Sequence, residues 1–205
     1  MVERGYDAIV VRDEANLRWL TGVKGVFDYT FEFPHAAFIT ADQCLFHTDS
    51  RYLNSFEENT PAGSPWVYDM DEGTIPGWVA GKIAANKCRV CAVEDDMQIN
   101  FYQGIQRGLE DRSVACMLPL MHDDIRKMRA IKDAEEIELM RHAQSITDAA
   151  FQHMLGYIKP GMTEKQVRNE LENFMFANGA DSLAFGPSSR AVPTPPTRMP
   201  SRATA

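Results

Sequence analysis

Residues 128–178 read MRAIKDAEEIELMRHAQSITDAAFQHMLGYIKPGMTEKQVRNELENFMFAN, and this stretch decides the fold. Asp133, with Glu136 three residues later and further acidic residues beside it, is typical of the first turn of a helix. Pro160 and Gly161 end that helix, because proline lacks the amide hydrogen that a helix interior needs. The stretch therefore predicts a long helix between Asp133 and the Pro-Gly pair.

A second helix follows this break. Thr163 and Gln166 fit the capping-box pattern, in which each side chain accepts a hydrogen bond from the backbone amide of the other residue. Asn178 and Gly179 predict its end, because glycine adopts the left-handed conformation at no steric cost. Apolar and small residues recur near the helical period and predict one buried stripe on each helix, formed by Ile137, Met140, Ala143, Ile146, Ala150 and Met154 on the first and by Val167, Leu171, Phe174 and Met175 on the second.

The bulk composition is that of a globular protein. A chain of 205 residues with 44% hydrophobic residues predicts one or two domains. The net charge of −8 disfavours binding to nucleic acid or to anionic membranes. No apolar run reaches about 18 residues, so no membrane span is expected. Residues 1–5 have no apolar signal sequence, which predicts a cytoplasmic location.

The cysteines include one C-x-x-C pair, Cys88 and Cys91. Such a pair is compatible with a redox site or with half of a zinc site. However, Cys91 lies within an apolar run, and no second pair follows at zinc spacing. We therefore interpret Cys91 as a buried thiol on a strand and Cys88 as a thiol at its edge.

Before residue 121, short apolar runs alternate with helical patterns, which favours an α/β domain around a mainly parallel or mixed sheet. We expect Asp49 to cap a helix that follows the second hairpin strand, and residues 119–127 to form a bridging helix. The other elements are predicted from local pattern alone: strands at 7–11, 36–40, 44–48, 66–68, 89–93 and 113–118, and helices at 13–22, 76–86 and 100–108.

Four strings carry a family resemblance. KMRAIKDAEEI at residues 127–137 and KPGMTE at residues 159–164 are similar to the entry into the catalytic domain of the creatinase, prolidase and aminopeptidase P family. NLRWLTG at residues 16–22 and DSRY at residues 49–52 resemble strings of the N-terminal domain in that family. The resemblance implies an α/β creatinase-like N-terminal domain with a mixed sheet and flanking helices, followed by the first helices of an incomplete α+β pita-bread domain.

The predicted domain boundaries follow from this resemblance. Residues 1–121 are expected to form the N-terminal domain, and residues 122–187 the bridge helix and the start of the pita-bread domain. Residues 188–205, rich in Pro, Ser, Thr and Arg, are expected to be a disordered tail. With GC-rich codons, a reading frame shifted back by one nucleotide permits a sequence with the Asn-Pro-His of the family, so our hypothesis is that this tail is a frameshift product.

The family resemblance also implies where metal ions are bound. In the family, two divalent ions (Mn, Co or Zn) are held by Asp, Asp, His, Glu and Glu, all of which follow the segment that matches residues 183–187. We therefore expect this chain to be truncated before the metal-binding half, with no catalytic residue, no metal ligand and no bound cofactor. Glu138, His142 and Asp148 share one helix, but Glu and His four residues apart are a common solvated pair.

One set of functional residues is a candidate. In the family, the N-terminal domain often reaches the active site of a neighbouring subunit in a homodimer. By position in the chain, Tyr29, Phe31 and Phe33 are the candidate contacts to a neighbouring subunit's substrate, and ordinary aromatic packing on an edge strand or loop is the alternative.

The resemblance implies a fragment of an Xaa-Pro aminopeptidase or dipeptidase, a dinuclear metallohydrolase whose substrate is a peptide. Two alternatives remain. One is a relative that acts on a small non-peptide molecule such as creatine or a sulfonium compound. The other is a non-catalytic module for dimerisation or substrate gating. In all three cases, the two helices of residues 133–178 are expected to expose apolar surface.

Overall fold

The computed structural model describes residues 1–23, 34–70 and 73–184. The chain divides into two compact units, Met1–Ile131 and Lys132–Ala205. Residues 26–33, predicted to be an edge strand or loop, and residues 188–205, predicted to be a tail, lie outside the described ranges. None of the helices within those ranges is long and apolar enough to cross a lipid bilayer.

The first unit is built around a mixed sheet with helices on both faces. Its strands and α-helices are, in chain order, β1 (Ala8–Val11), α1 (Glu14–Thr21), β2 (Ala36–Thr40), β3 (Cys44–His47), α2 (Leu53–Asn59), β4 (Trp66–Tyr68), α3 (Ile75–Ala85), β5 (Cys91–Val93), α4 (Ile99–Asp111) and α5 (Asp124–Ala130).

The strands lie in the order β4-β3-β2-β1-β5. Strand β1 pairs with β2 antiparallel and with β5 parallel, while β3 pairs with β2 antiparallel and with β4 parallel. The α/β class with a mixed sheet is therefore confirmed.

Both faces of the sheet are buried. Val10 of β1 is opposite Phe38 of β2 and Val93 of β5, and all three are fully buried. On that face α3 and α4 pack closely together, since a Cβ added at Gly108 would lie 2.8 Å from the Cβ of Ala80. A second apolar cluster covers the other face and includes residues of α1, α2 and α5. Burial on both faces explains why β1 is a continuous apolar run.

The bridging helix belongs to the first unit. The predicted boundary lay at Met121, but the compact unit continues to Ile131. Met121 and Ile125, each 3% exposed, both lie in the apolar cluster beneath α1 and α5. The burial of Ile125 therefore holds α5 on the sheet.

Two local predictions were wrong in detail. Residues 113–118 contain only one isolated parallel bridge, Met117 with Val90, rather than a continuous strand, and a second isolated bridge, Leu120 with Val93, lies just beyond them. Pro119 interrupts the pairing because it has no amide hydrogen to donate.

Asp49 does not cap α2, because the N-cap position is occupied by Tyr52. Asp49 instead accepts a hydrogen bond from the amide of Arg51 at 2.9 Å and forms an ion pair with the Arg51 guanidinium at 2.6 Å. The predicted cap of α2 by Asp49 is therefore wrong.

The second unit contains a helical hairpin, α6 (Ala134–Tyr157) and α7 (Glu164–Ala177). Both helices begin with a complete capping box, formed by Asp133 and Glu136 in α6 and by Thr163 and Gln166 in α7. Gly179 follows α7 with φ 97°. The predicted starts, turn and end of the hairpin are therefore confirmed.

The predicted buried stripe of α6 is only half correct. Ile146, Ala150 and Met154 are buried, but Ile137 and Met140 are 38% and 57% exposed. The predicted stripe residues Ala143 of α6 and Val167, Leu171, Phe174 and Met175 of α7 are exposed or half-buried. There are two physical reasons. Ile137 and Met140 lie on a different side of α6 from Ile146, Ala150 and Met154. In addition, α6 has 24 residues and α7 only 14, so α7 covers only part of its neighbour.

Candidate functional site

Glu94 is the centre of a buried polar network at one edge of the sheet. It follows β5, and Arg12 and Asp13 follow the parallel strand β1, so these residues meet at the carboxyl ends of the two strands. Glu94 is 5% exposed. Its Oε2 accepts hydrogen bonds from the amides of Arg12 and Asp13 at 2.5 and 2.8 Å, and its Oε1 accepts one from Asn16 Nδ2 at 2.7 Å.

Two arginines complete this network. The guanidinium of Arg12 lies 4.1 Å from the centre of the Phe101 ring on α4. Arg129, on α5, donates from Nη1 to Asn16 Oδ1 at 2.7 Å and lies 3.8 Å from a carboxylate oxygen of Asp13. The network therefore ties α1, α4 and α5 to the ends of β1 and β5.

Burial sets the electrostatics of the network. It raises the pKa of the Glu94 carboxyl above its ordinary value, although the hydrogen bonds from Asn16, Arg12 and Asp13 act in the opposite direction. Burial also lowers the pKa of Arg12. Because two of the three donors to Glu94 are backbone amides at the start of α1, the carboxylate stabilises that helix terminus.

The network borders an open cleft of about 360 Å³. Its lining consists of Met97 and six polar or charged residues: Arg12, Asp13, Glu14, Glu94, Asp96 and Gln98. The short contacts within the network hold elements together, and we assign it a structural role. Sequence reasoning missed it, although the charged residues directly after two apolar strand runs were a usable signal.

The aromatic residues proposed to contact a neighbouring subunit's substrate are Tyr29, Phe31 and Phe33. All three lie outside the described residues. Their role stays a prediction.

The three helical residues weighed as metal ligands are engaged separately. Glu138 accepts a hydrogen bond from Arg141 Nη1 at 2.6 Å, and Asp148 accepts one from Gln144 Nε2 at 2.8 Å. His142 is exposed on the same helix. These contacts are ordinary pairings on a solvated helix face.

Residues 1–23, 34–70 and 73–184 contain no group of three or more His, Cys, Asp or Glu side chains that could hold a metal ion. Residues 185–205 contain none of these four residue types. A two-metal centre needs several such ligands around a pair of ions about 3.5–4 Å apart. The described residues therefore do not fit a dinuclear metal centre.

The two buried histidines of the first unit, His35 and His47, are packing residues. His35 is fully buried, with its ring stacked on Phe46 at 5.8 Å and edge-on to Tyr52 at 4.9 Å. His47 is 6% exposed, and its Nδ1 lies 3.1 Å from the carbonyl oxygen of Asp69. Both therefore contribute to the core of the sheet.

The four cysteines are free thiols. Cys88 and Cys91 are buried, and burial raises the pKa of both thiols. A raised pKa keeps a thiol protonated and unreactive. These properties agree with the interpretation of the C-x-x-C pair as buried structural thiols.

Two family models match the chain. The Creatinase/Prolidase N-terminal domain matches residues 1–131, and Metallopeptidase family M24 matches residues 138–194. The first match has the same limits as the first compact unit. The second begins within α6 and continues past Ser188, where the sequence was expected to leave the family pattern.

Similar proteins are about twice as long as this chain. The uncharacterized peptidase YqhT of Bacillus subtilis (strain 168) is 29% identical over 188 residues, which are 88% of this chain and 48% of that protein. The structure of an Xaa-Pro dipeptidase from Bacillus anthracis has a TM-score of 0.73 at 27% identity and covers 88% of this chain and 47% of its own. The structure of an X-Pro aminopeptidase from Thermotoga maritima MSB8 has a TM-score of 0.73 at 26% identity and covers 90% of this chain and 51% of its own.

The two family matches follow one another in the same order as the two compact units. The chain spans about half the length of the relatives that it matches. Since the Creatinase/Prolidase N-terminal domain takes in more than half of the chain, and a partial match to metallopeptidase family M24 follows it, the chain belongs to the creatinase and prolidase family.

Proposed function

We propose that this chain is the N-terminal part of an Xaa-Pro peptidase, a dinuclear metallohydrolase that cleaves the bond before proline in dipeptides or at peptide N-termini. The observation that supports this is the order of the two family matches, 1–131 and then 138–194, in a chain about half as long as its relatives. Two of the similar structures are an Xaa-Pro dipeptidase and an X-Pro aminopeptidase.

We further propose that the chain alone does not catalyse this reaction. Two divalent ions, Mn, Co or Zn, would supply the activated water and polarise the scissile carbonyl in the whole protein. The lack of a ligand cluster among the described residues supports the placement of those ligands outside them. What this chain contributes is scaffold: the network around Glu94 fixes α1 and α5 on the sheet, and α5 directly precedes α6 in the chain.

The second candidate is a non-catalytic module for dimerisation or substrate gating. The same lack of a ligand cluster in the described ranges favours it. The homodimer, the role of Tyr29, Phe31 and Phe33 as contacts to a neighbour's substrate, and the cytoplasmic location stay predictions. Light scattering on the purified chain measures the subunit number directly.

Peptidase assays test the proposal. The purified chain is incubated with Mn²⁺, Co²⁺ or Zn²⁺ and either an Xaa-Pro dipeptide or a longer peptide with proline at its second position. The Bacillus anthracis Xaa-Pro dipeptidase serves as the positive control. We expect no hydrolysis by this chain above a blank that contains metal alone, and turnover above that blank would contradict the proposal.

A further inference from the structure

Residues 114–120 form an edge of the sheet beside β5. Their inner side pairs with the chain at that strand: the amide of Met117 donates to the carbonyl oxygen of Arg89 at 2.8 Å, and the carbonyl oxygen of Met117 accepts from the amide of Cys91 at 2.9 Å. In such a pairing, the backbone groups of every second residue face the partner and those between them face away. The residues on either side of Met117 therefore direct their backbone groups away from the sheet.

The outward side of this edge offers a row of backbone groups. Among the described residues, the amides of Cys116, Leu118 and Leu120 and the carbonyl oxygen of Cys116 have no hydrogen-bond partner. The carbonyl oxygens of Leu118 and Leu120 accept from the hydroxyls of Tyr102 and Tyr6 at 3.3 and 3.4 Å, and each oxygen has a second lone pair. A row of this kind is a template for pairing with another extended chain.

Pro119 does not block the outward side. A proline at the edge of a sheet normally limits pairing, because it has no amide hydrogen to donate. Here the carbonyl oxygen of Pro119 accepts from the amide of Val93 at 2.9 Å, so the backbone groups of Pro119 face β5. The missing amide therefore weakens the inner pairing and leaves the outward row unbroken.

An open cleft of about 530 Å³ lies beside this edge, between residues 114–118 and α4. Leu109 and Leu118 are among the apolar residues that line it. Its charged lining residues are Arg89 and Glu110, so their two charges cancel. A cleft of this size, with apolar walls and a few polar groups, is suited to hold apolar side chains.

The edge and the cleft together select one kind of partner. Outward amides at every second residue lie about 6.8 Å apart, and another extended backbone offers acceptors at the same spacing. A helix does not, because its backbone groups are bonded within it. Alternate side chains of an extended segment point to one face, which here is the face of the cleft. The balanced charge of the lining favours uncharged side chains there over acidic or basic ones.

We propose that the outward edge of residues 114–120 and the cleft along α4 form a binding site for an extended peptide segment with uncharged apolar side chains at alternate positions. The peptide backbone pairs with the outward amides of Cys116 and Leu118, as when a strand is added to the edge of a sheet, and its apolar side chains enter the cleft. The site lies within the first unit, and it does not depend on the proposed peptidase activity.

Fluorescence polarisation with the full chain and a labelled peptide tests this inference. The probe is the peptide SVTVTVS with fluorescein at its N-terminus, whose valines share one face of an extended chain. Two modified probes carry methyl groups on backbone nitrogens, either those of the valines or those of the residues that follow each valine. Because the amides of alternate residues point to opposite sides of an extended chain, only one of these two sets faces the protein.

A pair of matched variants tests the cleft. Gln103 and Gln106 are both exposed on α4, but Gln106 lines the cleft and Gln103 does not. Gln106→Trp should fill the cleft, whereas Gln103→Trp makes the same change outside it. Circular dichroism checks that both variants keep the helix content of the wild type. Amide hydrogen exchange with and without the peptide gives an independent measurement at Cys116 and Leu118.

We expect the unmodified peptide to bind the wild type and to slow exchange of the amides of Cys116 and Leu118. Methylation of one set of nitrogens should weaken binding by at least about ten-fold, and methylation of the other set by less than about two-fold. Gln106→Trp should bind at least about ten-fold more weakly than Gln103→Trp, because the valine side chains lose their place in the cleft.

Three results would overturn the inference: no binding of the unmodified peptide up to about 1 mM, equal weakening by the two methylations, or equal binding by the two tryptophan variants. Slowed exchange of the same two amides in the chain alone, as its concentration is raised, would also overturn it, because a second copy would then occupy the edge. None of these measurements involves hydrolysis, so a failure here leaves the proposed peptidase function untouched.

Discussion

Substitution Glu94→Ala is the sharpest test of how the sheet and its helices are held together. It removes the acceptor for three donors: the amides of Arg12 and Asp13 and Nδ2 of Asn16. A buried donor left without a partner costs about 1–3 kcal/mol, and the adjoining cleft lets water reach part of the site. We therefore expect a loss of about 2–4 kcal/mol in the free energy of unfolding, a large part of the 5–15 kcal/mol typical of a domain.

Urea unfolding followed by tryptophan fluorescence measures this loss. All three tryptophans lie in the first unit, so the signal reports that unit. The matched control is Glu57→Ala, which makes the same chemical change at an exposed position of α2. If Glu94→Ala costs no more than this control, within about 0.5 kcal/mol as expected for a surface change, the reasoning about the network is refuted.

The raised pKa of Glu94 predicts how the stability of the first unit changes with pH. Burial raises the folded-state pKa of Glu94 above its ordinary value of 4.5, so the folded state holds a proton that the unfolded state has released. The contribution of Glu94 to stability is therefore fully present below pH 4.5 and falls as the pH rises through the folded-state pKa. The stability difference between the wild type and Glu94→Gln should decrease over that range, and an increase would show that the sign is wrong.

Three further predictions concern packing and acid stability. His153→Ala should lower the free energy of unfolding of the hairpin by about 0.5–1.5 kcal/mol, because it removes a ring stacked on Phe174 at 4.3 Å. An unchanged melting temperature by circular dichroism would contradict this. Gly108→Ala should destabilise the first unit by about 1–3 kcal/mol, since its Cβ would lie 2.8 Å from that of Ala80, and neutral urea unfolding would argue against the close packing of α3 and α4. Hydrogen bonds from two backbone amides lower the pKa of Asp7, so the stabilisation that Asp7 provides is present above pH 3.8, its ordinary pKa, and is lost as the pH falls through the folded-state pKa. Asp7→Asn should therefore lose less stability in acid than the wild type. An acid transition identical to that of the wild type would contradict this.

Features set by neighbouring residues were predictable from the sequence. Both capping boxes of the hairpin depend on residues three apart, and the strands around β1 follow from short apolar runs bounded by turn residues. The family resemblance then supplied the order of the domains, which local patterns do not contain.

Features set by distant residues were not predictable in the same way. Glu94 and Arg12 are 82 positions apart, and only the parallel pairing of β1 with β5 brings them together. The exposure of Ile137 and Met140 depends on which side of α6 packs on α7. Periodicity identified their apolar character correctly but could not identify which side of α6 has a partner.

We proposed that this chain supplies the scaffold of a metallohydrolase and does not hold its metal ions, and calorimetric titration of the purified chain with Mn²⁺, Co²⁺ and Zn²⁺ decides this. We expect no saturable binding of two ions per chain. Two tightly held ions per chain would show that the proposal is wrong.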